Sequence, residues 1–331
     1  MTEVFRKREA PASRVACCLL LSAQLLLGQA EGHLQRGAAH LQRNEKEHAI
    51  RELKQAVGLD PRSAAAHMLL GQAYLAQGAF EMIAEAKGEL QQALDLDPTL
   101  VWARFYLAKI YLDLGRTDRA KEELERGLRD RPNVPHLLSL LGEVNRRLGS
   151  TEEALALNRR ALEADPAMTP AHYHLALAYL DQKKPDDAAR ELEQALRAPY
   201  VIPEMYVALA GIYLDRGKPE AAAELSRKAI ALDPSRPEGR LKLADAYRRQ
   251  KAYDRALEEL DRATPSGRRL LSSPYFQQIE AEVHFETGRV YQDQGKIDQA
   301  IQAYTRALEV DPSHDAARRQ LGGIKKAPPP R

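Results

Sequence analysis

Small side chains recur along this chain on a fixed pitch, and that pitch constrains what it can fold into more than any other feature. Gly37, Gly71, Ala108, Gly142, Ala176, Ala210, Ala244 and Gly288 follow one another at intervals of 34, 37, 34, 34, 34, 34 and 44 residues. A second series, Ala49, Ala86, Ala120, Ala154, Ala188, Ala222, Ala256 and Ala300, keeps the same intervals, both insertions included. A third, Ala56, Ala93, Gly127, Ala161, Ala195, Ala229, Ala263 and Ala307, trails the second by seven residues, which is two turns and therefore one face of a single helix. Proline closes most units, at Pro61, Pro98, Pro132, Pro166, Pro234 and Pro312, with the stop displaced to Pro199 and Pro265 in the fifth and seventh. Such self-similarity marks stacked supersecondary units, none of which can bury its apolar face alone.

Each unit reads as a helix A, a short turn, a helix B and a proline-terminated link. Asp-Pro pairs such as Asp60-Pro61, Asp97-Pro98 and Asp311-Pro312 disfavour continued helix, because proline lacks an amide hydrogen and restricts the residue before it. Ser235-Arg236-Pro237-Glu238 and Ser150-Thr151-Glu152-Glu153 have the pattern of capping boxes. Side chains of one hydrogen or one methyl in the first two series allow helices A and B to approach closely, and the third lets helix B meet the next helix A. Three extra residues near Ala79 to Ala84 lengthen one turn. Ten more, around Pro265 to Glu280 with Pro274-Tyr275-Phe276, either loop out or extend the following helix A. A short helix, Asp315 to Leu321, is expected to cover the last hairpin, and residues 323–331, with Pro328-Pro329-Pro330, read as a flexible tail.

The 34-residue period, the Leu-Gly or Leu-Ala pair followed three residues later by tyrosine (Leu70-Gly71 with Tyr74, Leu107-Ala108 with Tyr111, Leu175-Ala176 with Tyr179) and a turn glycine such as Gly115 or Gly149 resemble the tetratricopeptide repeat. The resemblance covers about residues 30 to 320. The first repeat departs from it at His33 and His40, and the fourth has Asn145 at the tyrosine place. It implies an all-α, right-handed superhelical solenoid of antiparallel helix hairpins, with eight repeats over residues 31–322 and helices A lining a concave groove. In the family that groove binds a peptide or partner protein through the second, fifth, ninth and twelfth places of helix A. Carried onto this sequence, the candidate contacts are Met68, Trp102, Phe105, Lys109, Ser139, Glu143, Tyr173, Val207, Leu241 and Phe285.

Large apolar side chains on a wall that need not be closed are either anchors for an extended segment or packing against the next helix A. Trp102, one turn before Phe105, is the first choice as a contact. Charged runs at Glu143, Arg146 and Arg147, and at Asp245, Arg248 and Arg249, either give the groove polar specificity or form a solvated face. The lysines and asparagines with which some family members grip a carboxyl terminus are not reproduced, and neither is the asparagine ladder of the sugar-transferring members.

The composition sets aside other chemistries. Of 49 Lys and Arg and 47 Asp and Glu, four and two lie in the first thirty residues, leaving 45 of each sign. A balanced chain lacks the cationic excess that drives binding to phosphate backbones, so no nucleic-acid partner is expected. Cys17 and Cys18 are the only cysteines, and the histidines have no shared ligand spacing, His172 and His174 being two apart and His33 and His40 two turns apart. Gly217-Lys218 and Gly295-Lys296 lack the rest of a phosphate loop. The expectation is therefore a chain without catalytic residues, metal or cofactor.

The amino terminus reads in two ways. Phe5-Arg6-Lys7-Arg8, an apolar run from Val15 to Leu27 and Gly28-Gln29-Ala30 form the three parts of a secretory signal cleaved after Ala30, which would place the chain in the periplasm or outside the cell. The run is shorter than the roughly 20 residues a bilayer-spanning helix needs, so no integral membrane span is expected. The other reading is an additional helix over the end of the stack in a cytoplasmic protein.

Overall fold

The computed structural model describes residues 11–78, 80–198, 201–264 and 274–326. Among these residues the structure is entirely helical, and it divides into two compact units, Met1–Pro166 and Ala167–Arg331. The first holds four antiparallel hairpins: α1 (Pro11–Gln42) with α2 (Lys46–Leu59), α3 (Ala64–Gln77) with α4 (Ile83–Leu96), α5 (Val101–Asp113) with α6 (Thr117–Asp130), and α7 (Pro135–Arg147) with α8 (Thr151–Ala164). The second holds four more: α9 (Thr169–Asp181) with α10 (Pro185–Ala195), α11 (Pro203–Asp215) with α12 (Pro219–Leu232), α13 (Pro237–Arg249) with α14 (Tyr253–Ala263), and α15 (Pro274–Asp293) with α16 (Ile297–Val310). A last helix, α17 (Asp315–Lys326), packs on α16 and runs five residues beyond the expected Leu321.

The three series of small residues are buried without exception, which gives the period its physical cause. A Cβ added to Gly37 would come within 2.5 Å of Leu53, and one on Gly71 within 2.7 Å of Leu90. On Gly288 it would meet the Tyr304 ring at 2.6 Å. These are contacts between helices A and B of one hairpin. Gly127 of α6 faces Leu137 of α7 in the same way, at 2.5 Å, so the third series does serve the junction with the next hairpin. Within each unit, neighbouring hairpins share apolar clusters, as where Val101 and Ala108 of α5 pack with Leu124 of α6 and Leu137 and Leu141 of α7.

Helix A ends with a residue in the left-handed region, and the following amide donates back to the carbonyl at the tyrosine place. Gly115 has φ +70°, and Arg116 N–H donates to Tyr111 O at 2.7 Å. Gly149 and Gly217 repeat the geometry. So do Asn44, Lys183 and Lys251, at φ 58°, 57° and 60°, although they carry side chains. In the second hairpin Gly78 is followed by Ala79, outside the described residues, and by a 3-10 turn, Phe80–Met82, which takes up part of the three-residue insertion. The ten-residue insertion lengthens α15 to 20 residues, against 13 in α13, and residues 265–273 lie outside the described part.

Two caps differ from expectation. Ser150 is the N-cap of α8 but its side chain makes no cap bond, since ψ 63° lies short of the extended backbone that capping uses. Pro237, not Arg236, is the first helical residue of α13, and Ser235 is taken by the link instead. Its N–H and Oγ both donate to Asp233 Oδ1, at 3.0 and 2.6 Å. Asp97 with Thr99 and Asp311 with Ser313 close their links identically. Among the described residues no helix is long and apolar enough to cross a membrane.

Candidate partner-binding surface

Successive helices A touch one another, α1 with α3, α3 with α5 and α5 with α7 in the first unit, and α11 with α13 and α13 with α15 in the second. Each unit therefore has an inner wall built from helices A. In the first unit this wall carries an aromatic cluster. Trp102, 37% exposed, meets Phe105 edge-to-face at 5.6 Å and His136 at 5.1 Å, and Phe105 lies 6.2 Å from His136. Lys109, exposed one turn further on, sets its Nζ 5.9 Å from the Phe105 ring. Burial pushes the His136 imidazole below its usual range against the pull of Asp165, so the cluster is uncharged at neutral pH apart from Lys109.

His136 was not among the residues singled out from sequence. It stands 34 residues after Trp102, at the same second place one repeat later, and that register is the signal that finds it. Met68 is half-buried against the core of the first unit. Ser139 is fully buried, and Glu143 is buried beneath Arg146 and Arg147, whose Nε atoms reach its carboxylate at 2.8 and 2.6 Å. This charged run is thus an ionic cluster with a buried carboxylate and a half-exposed Arg147.

In the second unit Tyr173 and Val207 line a cavity of about 170 Å³, with Pro203, Ala208, Ala229 and Gly239 supplying the rest of its apolar wall. Leu241 and Phe285 are core side chains. Leu241 packs with Ile279 and Val283, and Phe285 is enclosed by Tyr304 and His314 at 5.8 and 5.0 Å. Both are 8% exposed.

Asp245 is also enclosed. Burial opposes its charge, but Arg289, Arg248 and Arg249 hold its carboxyl below the usual range. Arg248 bridges onward to Asp293. Burial raises the neighbouring Glu286, which Arg289 offsets only in part. Tyr275 donates to Glu238 at 2.7 Å, and its phenol is pushed up to about 12 by burial and by that carboxylate.

A further arrangement escaped the sequence reading. A basic residue one place before the fifth on helix A reaches a glutamate 19 residues later on helix B: His33 to Glu52, Arg104 to Glu123, His172 to Glu191 and Arg240 to Glu259, at 2.9, 2.8, 2.7 and 3.1 Å. His67 meets Glu89 at 2.6 Å, the interval stretched by the three-residue insertion. Arg104 and His67 also contact the carbonyls of Pro98 and Pro61, tying the link to the hairpin. Among the described residues no group of three histidine, cysteine or acidic side chains is placed to hold a metal.

Sequence models of the tetratricopeptide repeat match residues 37–78, 79–144, 173–237, 213–283 and 281–314. The chain belongs to the tetratricopeptide repeat family. No curated relative matches it. Several hundred solved chains share the fold of this repeat protein. The APC/C hetero-tetramer Cut9–Hcn1 matches at TM-score 0.69 and 15% identity, over 88% of this chain and 55% of the other. The human IFIT1 dimer with PPP-AAAA matches at 0.62 and 21%, over 85% and 72%. PilW, a type IV pilus biogenesis factor, matches at 0.53 and 19%, over 63% and 96%.

Proposed function

We propose that this repeat protein is a non-catalytic scaffold that docks an extended segment of a partner protein on the inner wall of its first unit. The observation that carries this reading is the solvent-reaching cluster of Trp102, Phe105 and His136 with Lys109 beside it, a rigid apolar platform where a closed core would have buried one. Family membership supports it, since arrays of this kind offer extended binding walls. Capture of partners on purified protein, repeated with Trp102→Ala and Phe105→Ala, tests it. At least one partner should be lost with both variants, and unchanged capture of every partner would refute the anchor.

We infer further that the chain works in a bacterial envelope compartment, in secretion, pilus assembly or polysaccharide export. The basic, apolar and small-residue succession over residues 1–30 supports export, and so does the exposure of every residue from Gln24 to Gln29, just before the buried Ala30. The pilus role of PilW, a structural neighbour, is consistent with this. The competing reading, a cytoplasmic adaptor whose first helix is retained, is separated from it by amino-terminal sequencing of the native protein. A start at Glu31 supports export, and an intact Met1 contradicts it.

A further inference from the structure

The cavity of the second unit joins two features that apolar grooves do not usually combine. Its floor is apolar, formed in part by Val207, Ala208 and Ala229, and Gly239 lets α13 lie close on α12 beside it, since a Cβ there would press on Ile230 at 3.0 Å. The charged groups that line it are Glu204, Asp233, Arg236 and Glu238, three carboxylates against one guanidinium. Glu204 already holds Arg236, whose Nη2 stands 3.6 Å from Glu238 Oε1. That oxygen also accepts from Tyr275, whereas Oε2 of the same carboxylate is shielded from solvent and has no hydrogen-bond partner among the described residues.

We propose that this cavity receives a lysine side chain of a bound protein segment. A dry cavity of about 150 Å³ holds a benzene-sized group, so the volume here accommodates the four-carbon stem of lysine. The ammonium then lies among the carboxylates, where two negative charges are in excess of Arg236. A compact ammonium with three donors suits the space among Glu204, Asp233 and Glu238 better than a second planar guanidinium beside Arg236. An acidic side chain is repelled, and an uncharged stem leaves the excess charge as it was. The class of ligand rests on the docking function proposed above, but the site uses none of the residues of the aromatic cluster.

The test uses the full chain with methyl-labelled valine and alanine, titrated separately with N-acetyl-lysinamide and with N-acetyl-norleucinamide, its uncharged counterpart. The Val207 and Ala208 methyl resonances should shift with the lysine derivative at concentrations at least five-fold lower than with the norleucine derivative. Glu238→Gln, which preserves shape and the bond from Tyr275, should remove that preference and leave the norleucine response unchanged. Equal or tighter binding of norleucinamide, or no shift with either compound, overturns the proposal. Because no partner protein enters the experiment, its failure is independent of any failure of partner capture at Trp102.

Discussion

Arg104 and Glu123, both more than four-fifths buried, meet across the third hairpin, while the corresponding places of the fourth hold Leu138 and Leu157. The repeat thus accepts either an ion pair or an apolar pair at one position. Removing one partner leaves a charge without compensation, whereas replacing both with well-packed apolar groups is often neutral. Glu123→Leu is expected to cost about 1.5–3 kcal/mol in chemical denaturation. Arg104→Leu with Glu123→Leu should recover most of that loss, and a double variant as unstable as the single would show that the pair cannot be exchanged for packing. Glu286 gives a pH signature. Its folded pKa is raised by burial, so its stabilising contribution is complete below the unfolded value of about 4.3 and is lost as the pH rises through the folded value. Glu286→Gln should therefore raise the Tm at pH 7 and make no difference below about pH 4. Asp245 behaves oppositely, its contribution disappearing as the pH falls through its lowered value.

At the scale of the element, the turn between helices A and B is a left-handed C-cap, and lysine fills it twice. Left-handed backbone costs a side-chain-bearing residue roughly 1–2 kcal/mol, part of which glycine returns through its freer unfolded chain. Lys183→Gly and Lys251→Gly should each stabilise by about 0.5–1 kcal/mol, and Gly149→Ala should destabilise; a thermal melt in which Lys183→Gly lowers the Tm would contradict this. These turns show what was legible beforehand. Gly115 and Gly149 announce the cap in their side chains, but Lys183 and Lys251 reveal it only through the register of their neighbours. The ladders of glycine and alanine were readable because close helix contact tolerates few residue types. The basic-to-glutamate clasps were not, because His and Arg alternate there and both resemble ordinary surface charge. At the candidate site, Trp102 and Phe105 stood out by size, whereas the burial of Leu241 depends on Ile279, in a helix extended by an insertion that breaks the period, and that of Phe285 on Tyr304 and His314.

At the scale of the whole molecule, each compact unit is held by contacts between successive hairpins, so stability accumulates along the chain and not around one centre. Ala188, fully buried between α9 and α10, tests that spine locally, since Ala188→Leu should overpack it at a cost of about 1–3 kcal/mol. Truncation before Ile297 tests it globally: the shortened chain should keep the helical signal of its remaining hairpins with a lower Tm and a smaller denaturant slope, and complete loss of helix would indicate a closed core. Function follows from the same construction, because a wall of helices A is left with side chains that packing does not consume. Trp102 is the only tryptophan in the chain, so its emission reports on that wall alone. The decisive measurement is a titration of this emission with a captured partner segment, with calorimetry run in parallel. A saturable change at the calorimetric Kd, weakened at least ten-fold by Phe105→Ala, is the predicted result; calorimetric binding that leaves the emission of Trp102 unmoved and is indifferent to Phe105→Ala would contradict it.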